Sequence, residues 1–188
     1  MLYEAIFLAL GVGLIARGKL SRLAKIQLKN IGLVFISLAI QLGIDVAAHY
    51  IDLIVIYRLF FQGLSYILLF IFLFLNRKVP GVVFLALGFL MNFIVIMFNG
   101  GAMPTIVTGI DPEYIKSIKS GEVITYTLIS EKTKLRWFAD ILIQPWPKAK
   151  AFSIGDIFIS IGIFWLVLRT MIVEEKLAKL TSVRGVKL

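Results

Sequence analysis

Amide and ionisable side chains interrupt a chain that is 60% hydrophobic, and their positions suggest chemistry. Gln41 and Asp45 fall inside the apolar run 31–50, and Arg58 and Gln62 inside 51–75. Asn92 lies toward the end of the run 79–98, with Asn99, Gly100, Gly101 and Met103 just beyond it. Asp156 opens the run 151–173, and Asp140 sits in the apolar stretch "WFADIL". A charged residue at mid-bilayer costs roughly 2.5–3.5 kcal/mol on insertion scales, so such groups need a partner or a ligand. Asp45 and Arg58 stand at nearly matched depth on either side of a short turn, which predicts that they pair. The planar guanidinium suits a carboxylate or a phosphate equally. The pair is therefore either a hairpin staple or an anion or headgroup site. Asp140 in a dipping segment calls for a partner such as Arg136 or Arg58. Ser153 and Asp156 have the spacing of a capping box. Glu4 reaches toward headgroups, and His49 reads as interfacial.

Five apolar segments must carry these residues: 1–16, 31–50, 51–75, 79–98 and 151–173. Each is apolar around its circumference, which marks spans rather than amphipathic core helices. The fold class expected is an all-α integral membrane protein with five transmembrane helices in one membrane domain. The connection after the first segment holds Arg17, Lys19, Arg22, Lys25 and Lys29. The "NRK" turn holds Arg77 and Lys78, and the tail holds Lys176, Lys179, Arg184 and Lys187. With an odd number of spans these three segments share one face, which the positive-inside rule places in the cytoplasm. The expectation is N-out/C-in in the cytoplasmic membrane, with residues 99–150 as a long outer loop. Basic charge follows the first apolar run instead of preceding it, so that run reads as an anchor rather than a cleaved signal. In "LSRLAKIQLKN" the apolar positions keep helical spacing, which predicts that the second helix starts early, with Lys and Arg stems reaching the surface.

The outer loop is the main extramembrane region. Asn99, Gly100 and Gly101 form a turn signal. Asp111 as N-cap, Pro112 at the first helical position and Gly121 as a stop predict a short helix. "EVITYTLIS" (122–130) alternates like a strand or one arm of a hairpin. "LRWFADILIQPWP" (135–147) is apolar, too short to span, and flanked by Trp137 and Trp146, as in an interfacial or re-entrant segment. The loop is expected to fold over the outer helix ends as a lid, with "NGGAMP" at its lip.

Composition excludes several classes. There are no cysteines and one histidine, which removes disulfide frameworks, iron–sulfur clusters, thiol catalysis and most zinc sites. Mean hydropathy is +0.94, well above a soluble domain. The net charge of +9 then suits anionic lipid rather than nucleic acid. No Walker, kinase or di-iron pattern occurs, and no cofactor is expected. "NGGAMP" (99–104), "FADI" (138–141) with "PWP" after it, and "FSIGD" (152–156), after "NRKVPG" (76–81) and "MNF" (91–93), resemble a family of small bacterial multi-pass membrane proteins of unknown function. Members more often have Val where this chain has Thr105. The resemblance implies topology and implies no activity.

The polar residues fall in the outer half of the spans, while the inner half is nearly all Leu, Ile, Phe and Val. That asymmetry predicts a polar outer-leaflet pocket built from Gln41, Asp45, Arg58, Gln62, Asn92, Asn99, Gly100, Gly101, Met103, Asp140 and Asp156. The first reading is a non-enzymatic accessory subunit or binding protein in the lipid bilayer, holding a lipid or a partner membrane subunit. The alternative is an enzyme on a lipid-linked or anionic substrate, with Arg58 holding the anion and Asp45, Asp140 or Asp156 as acid or base. A small transporter or channel is the third, since the inner half offers no polar path.

Overall fold

The computed structural model describes residues 2–145 and 149–172. Trp146, Pro147 and the basic tail residues fall outside them. The chain is mostly helical. Five long helices follow the five apolar runs: α1 (Leu2–Ile15), α2 (Gly32–Ala48), α4 (Arg58–Leu75), α5 (Val82–Phe98) and α7 (Ile154–Ile172), with short α3 (Asp52–Ile56) before α4 and α6 (Pro112–Ser120) after α5. Two of them, α4 and α7, are long and apolar enough to cross a membrane, and α1, α2 and α5 are shorter apolar helices.

Three expectations are corrected. The run 51–75 is two helices rather than one, broken at Tyr57 (φ −96°, ψ 15°). The break falls one residue before Arg58, whose guanidinium turns onto the carbonyls of Gly100 and Ile124. Helix α2 does not start early. Leu20–Lys25 is a 3₁₀ turn, and Arg22 Nη1 donates to the carbonyls of Met171 (2.7 Å) and Ile172 (3.1 Å). The stretch thus bonds the backbone of α7 instead of extending α2. Finally, the fold is not all-α. Strands β1 (Met103–Thr105) and β2 (Tyr126–Leu128) pair in parallel, and β3 (Leu142–Gln144) and β4 (Lys150–Phe152) pair antiparallel.

The parallel pair explains why "NGGAMP" is not a lip. Beyond Asn99, Gly100 (φ 70°) and Gly101 (φ 84°) adopt the left-handed conformation, and the Gly101 N–H returns to the Ile96 carbonyl at 2.9 Å. This Schellman closure reverses the chain at the end of α5. Residues 103–105 then run inward. β2 bonds one edge of β1, and on the other the Asp140 N–H donates to Pro104 O (2.9 Å) while Ile106 N–H donates to Asp140 O (3.1 Å). Met103, Pro104 and Thr105 are all buried, because a strand bonded on both edges has no backbone group left that needs water. The stretch 122–130 therefore pairs with β1 and is not a hairpin arm. Helix α6 forms where its caps predict, with Asp111 accepting the Glu113 N–H at 3.0 Å. The described part of the segment 135–147, residues 135–145, divides into a 3₁₀ turn (Arg136–Phe138), the Asp140 bridge and β3, leaving Trp137 78% exposed.

Small residues set the helix packing. A Cβ on Gly88 would lie 2.4 Å from the Gly155 carbonyl oxygen, and one on Gly162 2.8 Å from that of Gly81. Helices α5 and α7 thus touch backbone to backbone. Helix α1 joins α7 by seating Met171 against Gly13, and α2 packs along α4. Tyr66, Leu69, Leu73, Val95, Ile96 and Ala139 form the centre of the core. Two asparagines at helix C-termini pin the connections. Asn76 bonds the Lys29 backbone in both directions at one end of the bundle, and Asn99 does the same with Lys134 at the other.

Candidate functional site: an acceptor-lined cavity

The polar face of α4 begins the site. Gln62, Ser65, Tyr66, Leu69, Phe72 and Leu73 recur at helical spacing and are all buried, so one stripe is polar at its N-terminal end and apolar beyond. Facing it, α2 contributes Gln41 and Asp45, and Gln41 Nε2 donates to Ser65 Oγ at 3.1 Å. Helix α5 adds Asn92, and the first turn of α7 adds Asp156. Between these elements lies a cavity of about 280 Å³, lined also by Leu42, Tyr66, Ile96, Met103, Thr125, Tyr126 and Asp140. Leu42, on α2, is 73% exposed and marks the rim.

Of the residues expected to form a pocket, Gln41, Asp45, Gln62, Asn92, Met103, Asp140 and Asp156 meet around this cavity. Arg58, Asn99, Gly100 and Gly101 do not line it. They hold the loop instead: Arg58 Nε donates to Gly100 O (3.0 Å), Arg58 Nη1 to Ile124 O (2.6 Å), and Asn99 clamps Lys134. The direct Asp45–Arg58 pair does not form. Asp45 Oδ1 accepts the N–H groups of Ile124 (2.8 Å) and Thr125 (2.9 Å), and Oδ2 accepts the Thr125 hydroxyl (2.6 Å). The two charges are bridged by Ile124, one bonding its N–H and the other its C=O. Three loop donors thus take up the Asp45 carboxylate, and two loop carbonyls take up the Arg58 guanidinium.

The Asp156 arrangement is a closed ring. Ser153 N–H donates to Asp156 Oδ2 (2.9 Å) and Asp156 N–H to Ser153 Oγ (3.0 Å), the reciprocal bonds of a capping box. Asn92 joins it, accepting the Ser153 hydroxyl (2.8 Å) and donating from Nδ2 to Asp156 Oδ1 (3.0 Å). Asn92 Oδ1 comes so close that a Cβ on Gly155 would stand 2.1 Å from it.

Two acceptors in the lining remain without a bond: Gln62 Oε1 and Asp140 Oδ1, on residues 4% and 6% exposed. Neither Arg136 nor Arg58 reaches Asp140. Burial, with the Asp156 carboxylate adding to it, pushes the Asp140 carboxyl up to about 8, since a charge out of water is disfavoured and a like charge nearby disfavours it further. Burial likewise raises the Tyr126 hydroxyl. Three aspartates line the cavity and no basic side chain does, so the anion or headgroup-phosphate site expected here has no positive partner. A more open depression of about 360 Å³ does carry Arg58 and Lys119, on the outside of β2, but no buried unbonded group lines it among the described residues. No group of three metal-ligating side chains occurs among the described residues.

A family model matches residues 25–168, from the end of the first connection to within α7 and thus across the whole cavity. The chain belongs to DUF5317, a family of unknown function. An uncharacterised protein of Thermotoga maritima is similar to this DUF5317 chain at 30% identity over 106 residues, 54% of this chain. The match spans 58% of that relative's own length. No solved structure matches the chain. Membership leaves the activity open, so the cavity itself must carry the functional reading.

Thr125, Tyr66 and Tyr126 are site residues that the sequence did not single out. Tyr66 was findable, because it follows Gln62 by four residues on a helix and so shares its face. Thr125 was not, since its contact with Asp45 spans 80 residues.

Proposed function

We propose that this chain is a multi-pass membrane protein with five bilayer-embedded helices, N-terminus outside and C-terminus in the cytoplasm, acting as a non-enzymatic binding component. It holds a small polar ligand in the cavity at the outer ends of its helices. Large apolar side chains on every long helix support the membrane setting, among them Phe7 (70% exposed), Phe35 (64%), Phe60 (62%) and Phe74 (64%). Surfaces this apolar belong against lipid or a partner rather than water. The Lys29–Asn76 and Arg22–Met171 contacts gather the basic first connection, the Arg77–Lys78 turn and the end of α7 at one end. That distribution supports the orientation.

The observation that carries the binding role is the pair of buried, unbonded acceptors in the cavity lining. A buried acceptor without a donor costs about 1–3 kcal/mol, and a ligand that supplies donors removes that cost. An enzyme on an anionic substrate is the weaker reading, because the lining carries no positive group. Native mass spectrometry of the protein from mild detergent and from native-lipid discs tests the role. A retained small molecule, lipid or companion subunit is expected, and a bare monomer in both would overturn it. The chain is free of cysteine, so Lys116→Cys reports topology directly. It should react with an impermeant maleimide on intact cells, and reaction only after lysis would overturn the orientation.

A further inference from the structure

We infer that the cavity takes a ligand bearing a primary ammonium group, presented either by a lipid headgroup or by a free alkylamine. The inference rests on reading the cavity as a ligand site, and it names what the site recognises. The sign of the charge comes first. Asp45 and Asp156 line the cavity beside Asp140, whose proton a cation would displace, with no Lys, Arg or His among them, so an anion meets repulsion and a cation meets attraction.

The second constraint is hydrogen bonding. Asp45 and Asp156 already accept bonds from Ile124, Thr125, Ser153 and Asn92. The oxygens left over are Gln62 Oε1, an acceptor, and Asp140 Oδ1, which accepts once a cation beside it displaces the carboxyl proton. Two acceptors need a ligand that donates, and a primary ammonium carries three N–H donors and no acceptor. A quaternary ammonium has the charge without the donors, and a neutral polyol has donors without the charge. Tyr66 and Tyr126 also line the space, and aromatic side chains are compatible with a cation. A divalent metal is disfavoured, because no cluster of three acidic or histidine ligands exists among the described residues.

Size and access complete the case. A cavity of about 280 Å³ is at the lower limit of small-molecule sites, enough for an aminoethyl group and too small for a whole lipid. Leu42, the strongly exposed member of the lining, belongs to the apolar outer face of α2. A rim on that face admits a headgroup from the side.

The experiment uses the full chain in lipid discs. Ethanolamine, choline and glycerol are titrated by calorimetry in phosphatidylcholine discs, and retention of phosphatidylethanolamine against phosphatidylcholine is read by native mass spectrometry. Ethanolamine, or phosphatidylethanolamine, should bind at least tenfold more tightly than its comparators. Binding of the free amine alone assigns a soluble source, and retention of the lipid alone assigns a headgroup source. Gln62→Met and Asp140→Asn should each weaken binding tenfold or more, while Asn76→Ala, far from the cavity, should not. Equal binding of choline, or preference for glycerol, would overturn the ammonium while leaving a ligand site. No binding of any probe, with no molecule retained on purification, would overturn both readings. Unchanged ethanolamine binding in Gln62→Met and Asp140→Asn would also overturn the assignment, since the amine would then sit elsewhere.

Discussion

Asn76 and Asn99 make the same three bonds at opposite ends of the helix bundle. Each caps the C-terminus of a helix and donates from Nδ2 to the carbonyl four residues back, Phe72 for one (2.8 Å) and Val95 for the other (2.8 Å). Each then exchanges two bonds with the backbone of a lysine, Lys29 or Lys134. A side-chain amide used this way is a one-residue substitute for a strand. It ties a loop to a helix end that would otherwise leave carbonyls unbonded.

Asn99→Ala should therefore loosen the segment around Lys134 that leads into Asp140, with a stability loss of about 1–3 kcal/mol. Amide exchange across residues 132–140 should accelerate, and that of α1 should not. Asn76→Ala should cost a similar amount at the basic end and leave the cavity segment as protected as before.

Asp45 and Arg58 hold opposite sides of one peptide residue, Ile124. Asp45→Ala strands the Ile124 and Thr125 amides, and a loss of about 2–4 kcal/mol is expected. If the two residues were a direct staple, removing both would restore stability. With the loop between them, the double variant Asp45→Ala/Arg58→Ala should be at least as unstable as either single one. Thermal unfolding of the four proteins in one detergent decides between these patterns.

The α5–α7 crossing predicts a sharp position dependence for glycine. Gly155→Ala places a methyl 2.1 Å from Asn92 Oδ1, whereas Gly43→Ala meets nothing within 4 Å. The first should cost several kcal/mol, on the scale of overpacking a core, and should disrupt the Ser153–Asp156–Asn92 ring. The second should be neutral or slightly stabilising, as alanine is the better helix former. Melting temperatures of the two variants would show the contrast.

Asp140 gives the protein a specific pH dependence. Its carboxyl is raised from the ordinary 3.8 to about 8 by burial and by Asp156. The folded state therefore holds a proton that the unfolded chain releases near pH 4. The stability this contributes is full below about pH 4 and is lost as pH rises toward 8, at about a tenfold fall in the folding constant per pH unit. Asp140→Asn should flatten that slope between pH 5 and 8. Denaturant titrations at each pH, with and without ethanolamine, provide the check. An amine beside Asp140 favours the ionised form, so its stabilising effect should grow with pH over the same range.

Much of the helical layout was legible in the chain. Apolar runs give helices wherever they are long, because an all-apolar segment has no other way to satisfy its backbone than through its own hydrogen bonds, and five long helices stand on the five runs. Local caps were equally readable: Asp111, Pro112 and Gly121 bound α6, and Ser153 with Asp156 begins α7, since such bonds span only two or three residues. Polar residues in apolar surroundings also pointed at one region, and seven of those named share a cavity. What the chain did not disclose was who bonds whom. Matched depth made Asp45 and Arg58 look like partners, yet two backbone amides and a hydroxyl from the loop bond Asp45, and Arg58 turns to two loop carbonyls. The turn at Gly100 and Gly101 looked like the edge of a lid, yet it delivers Met103–Thr105 into the interior between β2 and Asp140. Those outcomes depend on contacts between residues 22 to 80 positions apart, which no local pattern encodes. The sequence determined which residues must leave water; the tertiary structure decided which of them found partners, and left Gln62 Oε1 and Asp140 Oδ1 without one.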